Sequence, residues 1–321
     1  VSLWKKIAIG LAVLLTAFTL LNASWLAGRQ NGKLILVAHR GVTQQPGPAG
    51  SGDCPAARIA LPTHNYIENS TRSINDSLGY RASMVELDVQ PSADGAMVIF
   101  SDPTLDCRTN GHGPVRARTL AELKALDIGH GYTADGGKTW PLRGRGVGLM
   151  PTVEEVLKEL PRASLLFSLS GNDPREADLL AAAFRRAGVE PGARYGFYGS
   201  KAVAQRMRRL APKAWTWSLE EAEACGDAYR RWGWTSYVPA ACRGRTILIP
   251  LDRQFTIWGW PNRFLSRMAG TGTKVVVAGP GSSARGLTRL EQPEQLGEVP
   301  RSFKGYLLVE DIYTVGGALR N

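Results

Sequence analysis

The sequence lacks several common signatures, and each lack argues against a class of function. Its four cysteines, Cys54, Cys107, Cys225 and Cys242, include no CxxC spacing, which argues against a zinc site built on that motif. No run of basic residues is interleaved with aromatics, so nothing points to a nucleic-acid partner. Across 33–321 there is no internal repeat and no low-complexity linker, which leaves that stretch as one domain. Histidine is scarce, with His39, His64, His112 and His130 the full set, so few side chains can move protons near neutral pH. Acidic residues are outnumbered, 28 against 39 Lys and Arg, for a net charge of +11. Discounting Lys5 and Lys6 still leaves about +9 on the remainder. That surface favours anionic partners such as phosphate esters or acidic lipid.

What is present begins with an uncharged stretch. Lys5 and Lys6 precede 21 residues, Ile7–Ala27, without a charge, roughly 30 Å as a helix and enough for one bilayer crossing. Residues 1–32 therefore read as a membrane anchor with a short linker, and 33–321 as a barrel domain. Lysines before the apolar stretch place the N-terminus in the cytoplasm and the barrel outside it, in a bacterial periplasm or at the cell surface. A cleaved signal segment is the alternative, but Trp25 and Leu21 would occupy the small-residue positions of its cleavage sites. An oxidising compartment suits disulfides, and the pairs expected are Cys54–Cys107 and Cys225–Cys242, each stapling a long loop.

Short apolar runs then alternate with helical patterns, the order of a parallel α/β fold. Eight strands are expected: Leu34–His39, Met84–Val89, Met97–Ser101, Ser164–Leu169, Ala193–Tyr198, Ala214–Ser218, Lys274–Ala278 and Gly305–Val309, with Ile247–Leu251 as an accessory run. Helical patterns cover Asn69–Leu78, Thr119–Leu126, Thr152–Leu160, Pro174–Ala187, Ser200–Leu210 and Pro261–Ala269. Thr152-Val-Glu-Glu155 is a capping box. The fold class expected is a (β/α)8 TIM barrel with an N-terminal transmembrane helix, whose chemistry belongs at the C-terminal ends of the strands.

Those ends carry titratable residues. The first strand closes in His39-Arg40-Gly41, the second carries Glu86-Leu-Asp88, and the third ends in Ser101-Asp102. Glu86 and Asp88 share one strand face, while Val85, Leu87 and Val89 on the other are apolar and should pack against helices. Two neighbouring carboxylates repel unless a cation lies between them, and oxygen ligands suit Mg2+ or Ca2+. Arg40 offers a planar fork for phosphate oxygens, and His39 can act as a general acid or base.

His39-Arg40-Gly41, Glu68-Asn69, Glu86-Leu-Asp88 and Ser101-Asp102, in this order and spacing, resemble the glycerophosphodiester phosphodiesterase family. So do Leu105–Gly111, Thr119–Gly129 and Met150–Leu157, and the likeness is dense from 34 to about 160. The resemblance implies a TIM barrel that hydrolyses a glycerol phosphodiester, or a lysophospholipid headgroup, to glycerol 3-phosphate and an alcohol. It implies catalytic roles for His39, Arg40 and Glu68, with substrate held by Arg40 and Asp102; His112, from its place in the loop after the third strand, is the candidate to reach the substrate where the family's second histidine is missing. A divalent cation, Mg2+ or Ca2+, would bind Glu86 and Asp88, and Glu310 is a candidate to complete its shell. Two departures stand out. The family's histidine on the third strand is Ser101 here, and its E-x-K on the fourth is Ser168-Leu-Ser170. The alternative these departures raise is a catalytically impaired barrel that binds phosphate esters or lipid headgroups.

Overall fold

A computed structural model describes residues 2–28, 31–47 and 54–318. The chain divides into two compact units. One comprises Leu36–Ser218, Glu291–Pro293 and the chain from Val309 on; the other comprises the chain up to Ile35, Leu219–Leu290 and Glu294–Leu308.

The first unit is built on β1 (Leu34–His39, shared with the other unit), β2 (Met84–Pro91), β3 (Met97–Ile99), β4 (Leu165–Leu169), β5 (Tyr195–Gly199) and β6 (Trp215–Ser218). Five of these form a parallel run in the order β6-β5-β4-β2-β1. β3 is the exception: it pairs antiparallel with β2, Val89 opposite Ile99 and Pro91 opposite Met97. The expected third barrel strand is therefore a hairpin arm. Residues 92–96 are too short to carry a crossover, and a connection that short joins only antiparallel neighbours. Ser92 and Gly95 close the turn, with Gly95 N–H donating to the Ser92 carbonyl at 3.1 Å.

The second unit carries β7 (Thr246–Pro250), β8 (Lys274–Ala278) and β9 (Gly305–Val309, its last residue in the first unit), paired in parallel in that order. The accessory run around Ile247 is thus a full strand, buried along its whole length. Its five residues carry no polar alternation because both faces are covered, as in parallel sheets generally.

The α-helices among the described residues are α1 (Leu3–Asn22), α2 (Thr71–Gly79), α3 (Leu120–Lys124), α4 (Val153–Glu159), α5 (Arg175–Arg186), α6 (Lys201–Leu210), α7 (Leu219–Trp232), α8 (Asn262–Gly270), α9 (Glu294–Glu298) and α10 (Ile312–Ala318). Six of them fall within a few residues of the ranges expected. Their starts follow the local chemistry: Thr119 and Thr152 close reciprocal capping boxes with Glu122 and Glu155, and Ser70 and Ser200 accept from the third helical N–H. α7 was not expected, since Glu220, Glu221 and Glu223 break up its apolar stripe. α1 is 20 residues long and strongly apolar, and none of its residues is buried. By length and composition it is able to cross a membrane.

In the first unit Val85, Leu87 and Val89 lie in a core with Val153, Val156, Leu180 and Phe184 from α4 and α5. The apolar face of β2 therefore packs against helices, as its alternation required, and Glu86 and Asp88 project from the opposite face. Both expected disulfides are formed, Cys54–Cys107 in the first unit and Cys225–Cys242 in the second.

Candidate active site

The site residues all lie in the first unit. His39 ends β1, and Arg40 follows with φ of 59°, a left-handed conformation that costs a non-glycine residue about 1–3 kcal/mol. The surrounding bonds impose it. Arg40 N–H donates to the Glu86 carbonyl at 2.7 Å, and the Arg40 carbonyl accepts from Asn69 N–H at 2.8 Å and from Ser73 Oγ at 3.2 Å. The Glu68-Asn69 turn is thereby fastened to the turn after β1, which explains why the two motifs occur together. Gly41 has φ of 83°, and a Cβ there would lie 2.5 Å from the Ser73 carbonyl carbon. Gly41→Ala should thus cost about 1 kcal/mol or more in unfolding free energy, readable by denaturant titration.

Arg40 is the centre of the charge network. Its Nε donates to Asp88 Oδ2 at 2.5 Å and its Nη1 to Glu68 Oε1 at 3.0 Å. Burial alone would lower the Arg40 pKa, but Asp88, Glu68 and Glu310 outweigh it and hold the guanidinium charged. A second guanidinium lies behind. Arg108, 4% exposed, is ion-paired with Glu68 Oε1 at 3.1 Å and Asp102 Oδ2 at 3.0 Å, and donates to the Tyr132 hydroxyl at 2.9 Å. Its pKa is also raised: burial opposes the charge, and Glu68, Tyr132 and Asp102 overcome that. Burial, with Glu68 and Asp102 nearby, keeps the Tyr132 phenol protonated.

His39 is buried, with Nδ1 2.7 Å from Glu310 Oε2 and Nε2 3.7 Å from Asp88 Oδ2. A carboxylate partner requires a proton on Nδ1, which in the neutral ring leaves Nε2 as the basic nitrogen. Glu86 is fully buried and accepts a short hydrogen bond from the Tyr198 hydroxyl. Tyr198 stacks on Trp217 with ring centroids 4.8 Å apart. His39, Glu86 and Asp88 each offer a ligand atom, and these atoms lie within 4.8 Å of one another. A carboxylate has two oxygens, so it can accept a hydrogen bond and face a cation at once. The donor set therefore fits a divalent cation.

The structure thus brings together His39, Arg40, Glu68, Glu86 and Asp88. Asp102 joins them only through Arg108, as an ion-pair partner. His112 does not join them: it is exposed, and its contacts are with Asp106, at 3.2 Å, and Arg118, within its own loop. An exposed loop histidine with an acidic neighbour pairs with that neighbour, and no contact links His112 to the cluster among the described residues. Glu310 engages His39. Ser101 lies 3.4 Å from Asp102 Oδ1, and Ser168 stands opposite both Asp88 and Tyr198 in strand register. Arg108 and Tyr198 were not anticipated. Tyr198 sits near a strand's C-terminal end, where site residues of such barrels gather, and that position was the available signal.

Residues 61–179 match the Glycerophosphoryl diester phosphodiesterase family model. The chain is 33% identical over 128 residues to a glycerophosphodiester phosphodiesterase of Bacillus subtilis, covering 39% of this chain and 36% of that protein. It spans about a third of the length of the curated relatives it matches. Among solved structures, it is similar to the glycerophosphoryl diester phosphodiesterase domain of an uncharacterized Mycobacterium tuberculosis protein. There the TM-score is 0.64 at 18% identity, over 90% of this chain and 99% of that one. An Oleispira antarctica phosphodiesterase, solved with the product sn-glycerol-3-phosphate, gives a TM-score of 0.59 at 17% identity, over 89% and 97%. The fold is the (β/α)8 barrel of these structures, with its titratable cluster at strand C-terminal ends. Over 61–179 the chain is therefore similar to the glycerophosphodiester phosphodiesterase family, and across most of its length it shares the fold of these solved structures.

Proposed function

We propose that this protein is a phosphoric diester hydrolase that releases glycerol 3-phosphate from glycerophosphodiesters or lysophospholipid headgroups, outside the cytoplasm and tethered by α1. The observation that carries the reading is the convergence of His39, Arg40, Glu86 and Asp88 on one site in a chain that matches this family's model over 61–179. Arg40 would orient the phosphate through its fork, with Glu68, itself paired with Arg108, keeping that guanidinium in place. His39 Nε2, its tautomer set by Glu310, would take or deliver the proton at the reacting oxygen. Glu86 and Asp88 would hold a divalent cation, Mg2+ or Ca2+, which when bound supplies charge stabilisation on the phosphoryl oxygens. The tether reading is supported by the length and apolarity of α1, and the compartment by the two disulfides. The division into an anchor, 1–32, and a barrel, 33–321, belongs to this reading. The test is release of glycerol 3-phosphate from glycerophosphocholine by the purified chain, expected with Mg2+ or Ca2+ and lost on chelation. Metal-saturated protein without turnover would refute it.

A second reading is favoured by Ser101, Ser168 and Ser170, which stand where the family carries a proton-transfer group and charged residues. On it the barrel binds phosphate esters without turning them over. Calorimetry with glycerol phosphate and either cation would then give binding in the absence of hydrolysis. Ser101→His separates the two readings. Placed beside Asp102, a histidine restores a second titrating group, and hydrolysis should rise by a factor of about 10² to 10⁴. No gain, with binding intact, would favour the non-catalytic barrel.

A further inference from the structure

The end of α1 is built into the second unit. Arg267 Nη2 donates to the Leu21 carbonyl at 2.7 Å and Arg263 Nη2 to the Leu20 carbonyl at 3.1 Å, satisfying C-terminal carbonyls that a helix leaves open. The same Arg267 reaches the Gly233 carbonyl at 2.9 Å, while Asn22 Nδ2 donates to the Trp234 carbonyl at 2.8 Å and Asn262 N–H to Ser24 Oγ at 2.9 Å. The point where α1 ends is therefore fastened to the end of α7 and the start of α8.

Around that point the surface changes character. Every exposed tryptophan outside α1 lies there: Trp25 at 77%, Trp232 at 51% and Trp234 at 44%, joined by Tyr237 at 49%. Arg231 is exposed beside them, and Arg243 lies over the Tyr237 ring at 5.5 Å. Tryptophan and tyrosine are amphipathic rings that settle at the depth of lipid headgroups, and arginine pairs with their phosphates.

We infer that Trp25, Trp232, Trp234 and Tyr237, with Arg231 and Arg243, form a seat on the phospholipid headgroup layer of the leaflet that α1 leaves. The inference rests on the reading of α1 as a membrane span. A span ending at Asn22 brings the residues hydrogen-bonded to it to headgroup depth, and the occupant of the patch is then lipid, not protein. The seat fixes the height and tilt of the second unit against the bilayer, which a flexible tether would leave free.

The test uses the full chain in phosphatidylcholine vesicles, with and without bromine on the acyl carbons nearest the headgroup. Alkaline carbonate extraction first reads the span. If the chain is stripped from the vesicles, the span is refuted and the seat with it. If the chain stays, bromine should quench part of the tryptophan emission. That quenched part should fall in Trp232→Phe/Trp234→Phe, whose exposed rings are replaceable without loss of fold. Equal quenched emission in a carbonate-resistant wild type and variant overturns the seat. So does a cross-linked dimer that shields these tryptophans from bromine, since a second copy would then cover the patch.

Discussion

Replacing His39 by alanine should lower the turnover of a glycerophosphodiester by a factor of about 10² to 10⁴, the usual contribution of a positioned acid or base. His39 is the one histidine placed among the carboxylates: His112 pairs with Asp106 in its own loop, and Ser101 does not titrate near neutral pH. Nothing of the same chemistry stands in reserve. Measuring kcat and KM separately makes the outcome specific. A lost proton-transfer group lowers kcat, whereas a lost ground-state contact raises KM alone. Glu310→Gln should give a smaller fall and displace the pH profile, because an amide at the 2.7 Å contact with Nδ1 no longer enforces one tautomer. Unchanged turnover in His39→Ala would remove the proposed mechanism altogether.

The largest stability effect is expected at Arg108. Its side chain is buried and bridges Glu68 and Asp102, with Tyr132 as a third partner. Arg108→Leu removes the cation and leaves two carboxylates with one fewer compensating charge. Breaking a buried ion pair from one side costs about 3–5 kcal/mol. Chemical denaturation should show the midpoint falling without a change of slope. Adding Glu68→Gln should cost less than the sum of the two single changes, because the second substitution removes a charge that the first had stranded. Additive losses would mean that Arg108 contributes packing alone. Arg40 lies next to the same Glu68, so the variant should also weaken phosphate-ester binding.

Much of this architecture is legible in the residues taken locally. The helix starts follow from threonine and serine capping a few positions away, and the opposite faces of β2 follow from strict alternation through Glu86 and Asp88. The turn after β1 is legible as well, because Gly41 adopts a backbone conformation that suits glycine. These features depend on neighbours within about four residues, and such neighbours are fixed by chain geometry.

What the sequence did not decide are the matters settled by partners far along the chain. Met97–Ile99 and Thr246–Pro250 are both short apolar runs, yet one is an antiparallel hairpin arm and the other a buried parallel strand. An apolar run states that it is covered, not by what. Tyr198 meets Glu86 across 112 residues, and Glu310 meets His39 across 271. Arg108 reaches Glu68 across a turn that the Cys54–Cys107 disulfide helps to hold. His112 and Asp102 carried suitable chemistry, but the fold turned one toward its own loop and gave the other to Arg108. The sequence by itself determined the reactive groups at the ends of β1 and β2, because alternation and turn chemistry orient them locally. Only the tertiary structure decided which distant groups answer them, because a hydrogen bond depends on distance in space and not on separation along the chain.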